Sequence, residues 1–214
     1  MNYHPDIDFL LKYSSGQLEP ALTVAISLHI QNCKICREQI AQLEEVGGAT
    51  LESIEQDEIN DDLFRHLLEE VNNLPIEQSV TPFEEFAIAE LDRPLVQQLS
   101  ERDYSNLDWQ KVTSKISKAT IAMNDSHFEV ELLKFSPKAK IPKHTHIGKE
   151  ITVVLEGEFS DKDGNYQAGE FIVKDSSEEH QPLAGDEGCV CLAITDAPLK
   201  FTGTFGSLIN WWVR

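Results

Sequence analysis

Four potential metal ligands lie near the start of the chain, and their spacing restricts how this part can fold. His29, Cys33 and Cys36 occupy positions i, i+4 and i+7. If residues 21–36 form a helix, these side chains share one face, because successive residues are about 100° apart around a helix axis. A short antiparallel helix would return His4 to that face. Two thiolates with two imidazoles form a common tetrahedral zinc shell, so the sequence predicts a zinc site. The alternative is two buried thiols and two incidental histidines, which the polar residues beside the cysteines disfavour.

The first half of the chain has apolar residues at helical spacing and few β-branched runs, which predicts a small helical bundle. The helices are expected at residues 7–13, 20–30, 36–46 and 57–72. Gly47 and Gly48 should end the third helix. Residues 74–82, with a proline near each end, read as a linker, and one or two helical turns are expected around Pro94.

The fourth predicted helix carries an apolar stripe between residues 63 and 71. Its members are Leu63, Phe64, Leu67, Leu68 and Val71. Such a stripe either covers the bundle's own core or docks on a partner, and the first is favoured for any single residue.

From about residue 108 the pattern changes to short β-rich runs separated by turn residues. Strands are expected at residues 127–135, 150–155, 157–160, 171–173 and 189–195. Residues 161–165 read as a hairpin turn. Many short antiparallel strands without intervening helices predict a sandwich or barrel. The final stretch, 205–214, fits either a short helix or a closing strand.

A second set of potential ligands lies in this β-rich half. His144 and His146 are two residues apart, so on an extended strand both point to the same side. Glu150 begins the next apolar run, and His180 ends a later one. Three imidazoles and one carboxylate suit Zn, Fe, Mn or Ni, and the residue types alone do not choose among them. The alternative is that no metal site exists and that His144 and His146 are ordinary residues of a loop.

The spacing in this half resembles the cupin family. The first cupin motif, His-x-His-x3-Glu-x6-Gly, is reproduced by His144, His146, Glu150 and Gly157. The glycine-to-histidine spacing of the second motif is reproduced by Gly169 and His180, and the resemblance covers about residues 108–195. Four motif positions depart from the pattern, at Lys138, Asp175, Ser177 and Ala184. The resemblance implies a jelly-roll barrel.

Both halves together resemble the ChrR-type zinc-binding anti-sigma factors. In that family an N-terminal zinc domain binds an extracytoplasmic-function sigma factor, and a cupin half is needed for release upon an oxidative signal such as singlet oxygen. The resemblance implies zinc at His4, His29, Cys33 and Cys36. It implies a second metal, also expected to be zinc, at His144, His146, Glu150 and His180.

The expected fold class is therefore an α+β multidomain chain, in which a small helical zinc bundle precedes an all-β cupin barrel. The expected divisions are 1–80 for the helical zinc-binding anti-sigma domain, 81–107 for a linker with short helical turns, 108–195 for the cupin and 196–214 for a C-terminal extension. The expected partner is one sigma factor in a 1:1 heterodimer, and no enzymatic activity is expected. The competing hypotheses are a metal-dependent cupin enzyme, of dioxygenase or dione-cleaving type, and a ligand-binding sensor that inhibits no protein.

Charge and hydropathy narrow the partners and the location. The chain has 37 acidic and 18 basic side chains, a net charge of −19, and no basic patch, which disfavours direct nucleic-acid binding. No apolar run approaches the roughly 20 residues that span a bilayer, and no signal-like start is seen, so a cytoplasmic protein is expected.

In a reducing cytosol, cysteines serve as metal ligands or free thiols. Cys189 and Cys191 share one strand face and are expected to fill the core, with a redox-active pair as the alternative.

Overall fold

The computed structural model describes residues 1–55, 60–73, 88–123 and 127–202, without side-chain surroundings at 61 and 88–93. The predicted linker at 74–82 and the undecided stretch at 205–214 lie outside the described residues. Helices come first and strands follow, which confirms the α+β architecture expected from the sequence.

Five helices form the first half of the described chain. They are α1 Ile7–Ser14, α2 Pro20–Asn32, α3 Lys34–Glu52, α4 Asp61–Asn73 and α5 Ile88–Ser100. Local chemistry explains where the first two begin. The side chain of Asp6 accepts a hydrogen bond from the Phe9 amide at 3.0 Å and caps α1. Pro20 occupies the first turn of α2, where its missing N–H has no consequence.

Two helix predictions were wrong in detail. The third helix does not end at Gly47 and Gly48 but continues to Glu52. Neither glycine adopts a positive φ, and a glycine inside a helix costs only about 1 kcal/mol relative to alanine. Around Pro94, α5 is one continuous helix of 13 residues rather than one or two isolated turns.

Ten strands follow the helices. They are β1 Gln110–Lys111, β2 Ile116–Thr120, β3 Glu129–Phe135, β4 His144–His146, β5 Glu150–Ser160, β6 Asn165–Gln167, β7 Phe171–Lys174, β8 Glu179–His180, β9 Leu183–Thr195 and β10 Leu199–Phe201. A seven-stranded sheet has the order β1-β2-β3-β9-β5-β6, and β7 also pairs with β5. A three-stranded sheet has the order β10-β4-β8. All these pairings are antiparallel, as expected for a barrel or sandwich.

The predicted strands at 150–155 and 157–160 are a single strand, β5, with register shifts on both sides of Gly157. Gly157 has φ +68, and a Cβ there would lie 2.1 Å from the carbonyl oxygen of Gly188. This close approach explains why the first cupin motif has a glycine at this position. Lys138 stands where the family has its leading glycine, and it adopts φ 54, so the backbone turn is kept with a lysine.

The helices and the seven-stranded sheet share one hydrophobic core. Helix α2 packs against α5 and also against β5, β7 and β9. From the helices the core takes fully buried residues such as Leu10 and Ile26, and from the sheet residues such as Phe171 and Leu192. A second cluster fills the inside of the barrel, around Tyr166. The outer face of the sheet is therefore covered by helices and its inner face by the barrel interior.

Helix α4 differs from this arrangement. The side chains of its apolar stripe are 46% to 62% exposed, so the stripe does not cover the bundle's own core. Among the described residues, no helix is both long and apolar enough to cross a membrane.

The shared core predicts unequal effects along β7. Phe171 is 2% exposed and touches Phe9 and His29, whereas Val173 is 38% exposed. We expect Phe171→Ala to lower the free energy of unfolding by about 3–5 kcal/mol, because it leaves a cavity between helices and sheet. Val173→Ala, the control on the same strand, should cost less than about 1 kcal/mol. Urea denaturation measures both values, and equal losses would contradict the shared core.

Candidate metal centres

The structure brings His4, His29, Cys33 and Cys36 together at the junction of α2 and α3. One ligand atom from each lies within 4.8 Å of the others. His29, Cys33 and Cys36 are buried, and His4 is partly exposed in the extended segment before α1. We call this set the N-terminal centre.

The helical segment predicted to carry three of these ligands is broken in the middle. Cys33 has an extended backbone, with φ −109 and ψ 101, and ends α2 while capping α3. Its sulfur accepts a hydrogen bond from the Cys36 amide at 3.5 Å. Both sulfurs thus lie at the N-terminus of α3, where the first backbone amides have no carbonyl partner within the helix. The i, i+4, i+7 spacing assumed one continuous helix, whereas in the structure a helix break brings these three residues together.

The distances in the N-terminal centre fit a tetrahedral ion. His29 Nε2 is 3.3 Å from Cys36 Sγ. His4 Nδ1 is 3.3 Å from Cys33 Sγ and 3.5 Å from Cys36 Sγ. Zinc bonds of about 2.3 Å to sulfur and about 2.0 Å to nitrogen imply nitrogen-to-sulfur edges of about 3.6 Å. The donor set and its spacing therefore suit zinc, although the metal itself stays a prediction.

Burial sets the protonation of the N-terminal centre. Burial, together with the adjacent Cys33 thiol, raises the pKa of Cys36 to about 12. Burial also lowers the pKa of His29, so its imidazole stays neutral and able to bind a metal. A cation that binds here must displace thiol protons, and the charge it brings compensates the buried thiolates.

The structure also brings together His144, His146, Glu150 and His180, from β4, the start of β5 and the end of β8. All four are buried, and their ligand atoms lie within 4.8 Å of one another. His144 pairs directly with His180 across the three-stranded sheet. His146 Nε2 is 3.0 Å from His180 Nε2 and 3.3 Å from Glu150 Oε2. We call this set the barrel centre.

Two histidines of the barrel centre are oriented through their other ring nitrogen. His144 Nδ1 donates to the carbonyl of Pro142 at 2.8 Å, and His180 Nδ1 donates to Asp161 Oδ2 at 3.1 Å. Each bond leaves Nε2 free to face the centre, as metal-binding histidines require. His146 Nδ1 is buried and has no hydrogen-bond partner among the described residues.

Asp161 is a supporting residue that the sequence did not reveal, because it reads as an ordinary turn aspartate. Its side chain is fully buried. One oxygen holds His180, and the other accepts hydrogen bonds from the Tyr166 hydroxyl and two backbone amides of the turn. The turn thus rigidly places the carboxylate that orients a ligand.

Electrostatics in the barrel centre favour a bound cation. Burial lowers the pKa of His144 to about 4 and that of His146 to about 3. Burial raises the pKa of Glu150 to about 7. The three imidazoles are therefore neutral, and the carboxyl ionises only at a raised pH. A divalent ion would stabilise this closely packed set, because imidazole and carboxylate are donors that such ions bind.

A cavity of about 50 Å³ opens beside the barrel centre. Its walls are mostly apolar and include Phe135, Phe159, Leu199 and Cys191. Sites for drug-sized molecules usually have about 300–1,000 Å³. This cavity therefore admits only very small molecules while the barrel keeps its shape.

The Cys189 and Cys191 side chains are buried, with their sulfurs 3.2 Å apart. The contact with Cys189 and burial raise the pKa of Cys191 well above its usual value. Reactive cysteines have lowered pKa values, so Cys191 does not fit a thiolate nucleophile, and the burial of both side chains in the second cluster fits core filling.

Comparison with known proteins agrees with this architecture. Residues 98–198 match the family model of the ChrR cupin-like domain. The chain is 26% identical over 216 residues to Anti-sigma-E factor ChrR of Cereibacter sphaeroides, covering 100% of this chain and 99% of the relative. The crystal structure of Rhodobacter sphaeroides SigE in complex with the anti-sigma ChrR matches with a TM-score of 0.70 at 24% identity, covering 91% of this chain and 99% of that chain.

Fold and sites together define a class of protein, in which a helical unit with a thiolate and imidazole cluster is packed on a cupin barrel with its own cluster of ligands. Within that class, the chain is similar to the ChrR-type proteins: residues 98–198 match the ChrR cupin-like domain, and the full length is similar to Anti-sigma-E factor ChrR. The cupin fold and the family resemblance expected from the motifs are both confirmed.

The role of Asp161 can be tested against a neighbour in the same turn. Asp161→Asn should weaken metal binding at the barrel centre by about tenfold to hundredfold, because His180 loses its charged hydrogen-bond acceptor. Asp163→Asn is the control, since Asp163 pairs with Lys174 at 2.8 Å and is not hydrogen-bonded to a ligand. Competition with a chelator measures both affinities, and equal values would contradict the orienting role.

The raised pKa of Glu150 predicts a pH dependence. Below about pH 7 the metal must displace a proton from Glu150, so affinity at the barrel centre should fall about tenfold per pH unit. His144 and His146, with pKa values of about 4 and 3, add to this slope only at lower pH. Cobalt(II) titrations from pH 8 to pH 5.5 measure the slope. Glu150→Gln should bind more weakly and lose this dependence; an unchanged slope would contradict the assignment.

Proposed function

We propose that this chain is an anti-sigma factor, a negative regulator of transcription that binds one extracytoplasmic-function sigma factor in the cytoplasm. The proposal is supported by the full-length similarity to Anti-sigma-E factor ChrR and by the likeness to a ChrR chain in complex with SigE. It assigns binding to the N-terminal half, with divisions at 1–80, 81–107, 108–195 and 196–214.

The observation that carries the proposal is the exposed apolar face of α4. Phe64 is 55% exposed, Leu67 48% and Val71 62%, although they share one face of the helix. Leaving such a face in water is unfavourable, and amphipathic helices of this kind bind in hydrophobic grooves of partners. A sigma factor that enclosed α4 would bury this face.

Charge supports the same partner. The first 80 residues contain 15 acidic and 4 basic side chains. Acidic surface attracts the basic faces with which a sigma factor contacts DNA, and it repels DNA itself. Complementary charge would therefore speed association and keep the bound sigma factor from the promoter.

Both centres are proposed to hold zinc, so that the loaded chain contains two ions. In the N-terminal centre, zinc would be held by His4, His29, Cys33 and Cys36 and would serve a structural role. A small helical unit has little core of its own, and a closed zinc site adds folding free energy. In the barrel centre, the ion would be held by His144, His146, Glu150 and His180.

An enzymatic role as a cupin dioxygenase or dione-cleaving enzyme has less support. A cavity of about 50 Å³ beside the ligands leaves little room for an organic substrate. Four protein ligands also complete a tetrahedral shell, whereas catalytic zinc usually keeps one position open. We therefore propose that the barrel receives a signal, of the oxidative, singlet-oxygen-like kind, which releases the sigma factor.

Sigma-factor binding can be tested by co-expression. The tagged full-length chain, expressed with each extracytoplasmic-function sigma factor of its own organism in turn, should retain one of them in a 1:1 complex. Size-exclusion chromatography with light scattering gives the stoichiometry. Failure of every such sigma factor to co-purify would refute the proposal.

Helix α4 offers a matched pair of variants. Phe64→Ala should weaken the complex about thirtyfold, about 2 kcal/mol, as expected for a buried aromatic anchor. His66→Ala should change affinity less than about threefold, because His66 is exposed and pairs only with Glu70 on the same helix. Calorimetry measures both; equal effects would exclude this face as the contact.

The barrel's role in signalling can be separated from binding. The double variant His144→Ala with Glu150→Ala should still bind the sigma factor and should no longer release it upon oxidative stress. A reporter gene driven by the sigma factor measures release, and co-purification measures binding. Loss of binding in this variant would contradict a division of labour between the two halves.

A further inference from the structure

The N-terminal centre is completed by contacts from the barrel. His29 Nδ1 donates a hydrogen bond to the carbonyl oxygen of Gly169 at 2.7 Å, across 140 positions in sequence. This bond is buried, and it leaves His29 Nε2 facing Cys36 Sγ. A barrel carbonyl thus selects the form of His29 that can bind a metal.

The barrel also holds the segment that carries His4. The Asn2 amide donates to Glu170 Oε1 at 2.6 Å, and the Phe171 amide donates to the Tyr3 carbonyl at 3.2 Å. Glu170 is only 3% exposed, and its second oxygen accepts from the Gln167 amide at 2.9 Å. These bonds on the two residues before His4 fix where its ring can lie.

A glycine makes this close approach possible. Gly169 has φ +92, and a Cβ there would lie 2.7 Å from Met1 Cε and 3.1 Å from Asn32 Cβ. A side chain at this position would strain the turn, because of its positive φ, and would crowd Asn32 at the end of α2, whereas the flexible Met1 side chain could move aside. The motif glycine therefore serves the N-terminal centre as well as the barrel.

Strand β7 connects this turn to the barrel centre. Phe171 pairs with Val153, and at the other end of β7 Lys174 pairs with the barrel ligand Glu150. Lys174 Nζ lies 3.9 Å from the Asp161 carboxylate that orients His180. Strand β7 begins two residues after Gly169 and spans three steps of about 3.3 Å, so about 10 Å of strand leads from the turn to Lys174.

We propose that residues 169–171 form the outer shell of the N-terminal centre, so that the barrel, including its own centre, sets how tightly the N-terminal centre holds its metal. The proposal rests on metal occupancy of the N-terminal centre, which is part of the proposed function. It makes Gly169 and Glu170 positioning residues for His29 and His4. A disturbance of the barrel centre then reaches the helical half through β7.

The first test compares two glycine variants of the full chain. Cobalt(II) is the probe, because thiolate-to-cobalt absorption reports the N-terminal centre alone; the barrel centre has no sulfur ligand. Gly169→Ala should weaken cobalt binding there by about tenfold to hundredfold and change its ligand-field bands. Gly16→Ala is the matched control, since Gly16 also has a positive φ of +67 but lies outside the barrel, and a Cβ there meets nothing within 4 Å.

Equal cobalt affinities in these two variants would overturn the outer-shell assignment. If Gly169→Ala does not fold, Glu170→Gln replaces it, because the amide keeps the side-chain shape and removes one of two acceptor oxygens. Its affinity should fall at least severalfold, and an affinity equal to that of the original chain would overturn the proposal.

The second test addresses the link between the centres. His180→Ala removes a barrel ligand. We expect it to raise the rate of zinc release from the N-terminal centre at least severalfold, measured with a chelator that does not react with thiols. His66→Ala, on the exposed α4, is the control and should leave the rate unchanged. Equal rates in the two variants would overturn the link through β7.

These outcomes are separable from failure of the proposed function. Both tests use the chain without a sigma factor, so a chain that binds no sigma factor can still show the coupling. If the original chain gives no thiolate-to-cobalt absorption at all, metal occupancy itself is refuted, and the proposal falls with that part of the function.

Discussion

The packing of α2 against the outer face of the seven-stranded sheet determines where both centres lie. It buries His29 beside Phe171 and sets the α2 end, with Cys33, next to the β6–β7 turn. Because the same sheet contributes Glu150 from its inner side, one layer of strands separates two sets of ligands. Apolar contact provides most of the stabilisation, and the few polar contacts across the interface are those that orient ligands.

Both centres face the same electrostatic problem and share one solution. Burial keeps imidazoles neutral and thiols or carboxyls protonated, as the pKa values of Cys36 and Glu150 indicate. A bound divalent ion favours the deprotonated thiols and carboxyls, because its positive charge compensates their buried negative charge. The two centres differ in the partners of their histidines, since Asp161 provides a charged acceptor for His180 whereas Gly169 provides only a carbonyl for His29. A charged acceptor makes imidazole a stronger ligand, so the N-terminal centre depends more on its thiolates.

Most of the candidate ligands could be proposed from sequence because they obey local spacing. His144 and His146 alternate on a strand, and the cysteines flank the start of a helix, so a few residues determine each pattern. The supporting residues were not predictable in the same way. Asp161 reads as a turn residue and Gly169 as a motif glycine, and their second roles arise from contacts across 19 and 140 positions. The break at Cys33 falls in the gap between the helices expected at 20–30 and 36–46, whereas the capping bond of its sulfur leaves no pattern in sequence. The continuation of α3 through Gly47 and Gly48 shows the converse, a local signal overridden by the rest of the helix.

The small cavity beside the barrel centre has a consequence for what kind of messenger could act there. The cavity has about 50 Å³ and walls of Phe135, Phe159 and Leu199, so its size and apolar lining limit which molecules can enter. A species of one or two heavy atoms fits this space, whereas a metabolite of ordinary size does not. Selectivity for such small species would then come from exclusion by size and polarity, and no shaped recognition pocket would be needed.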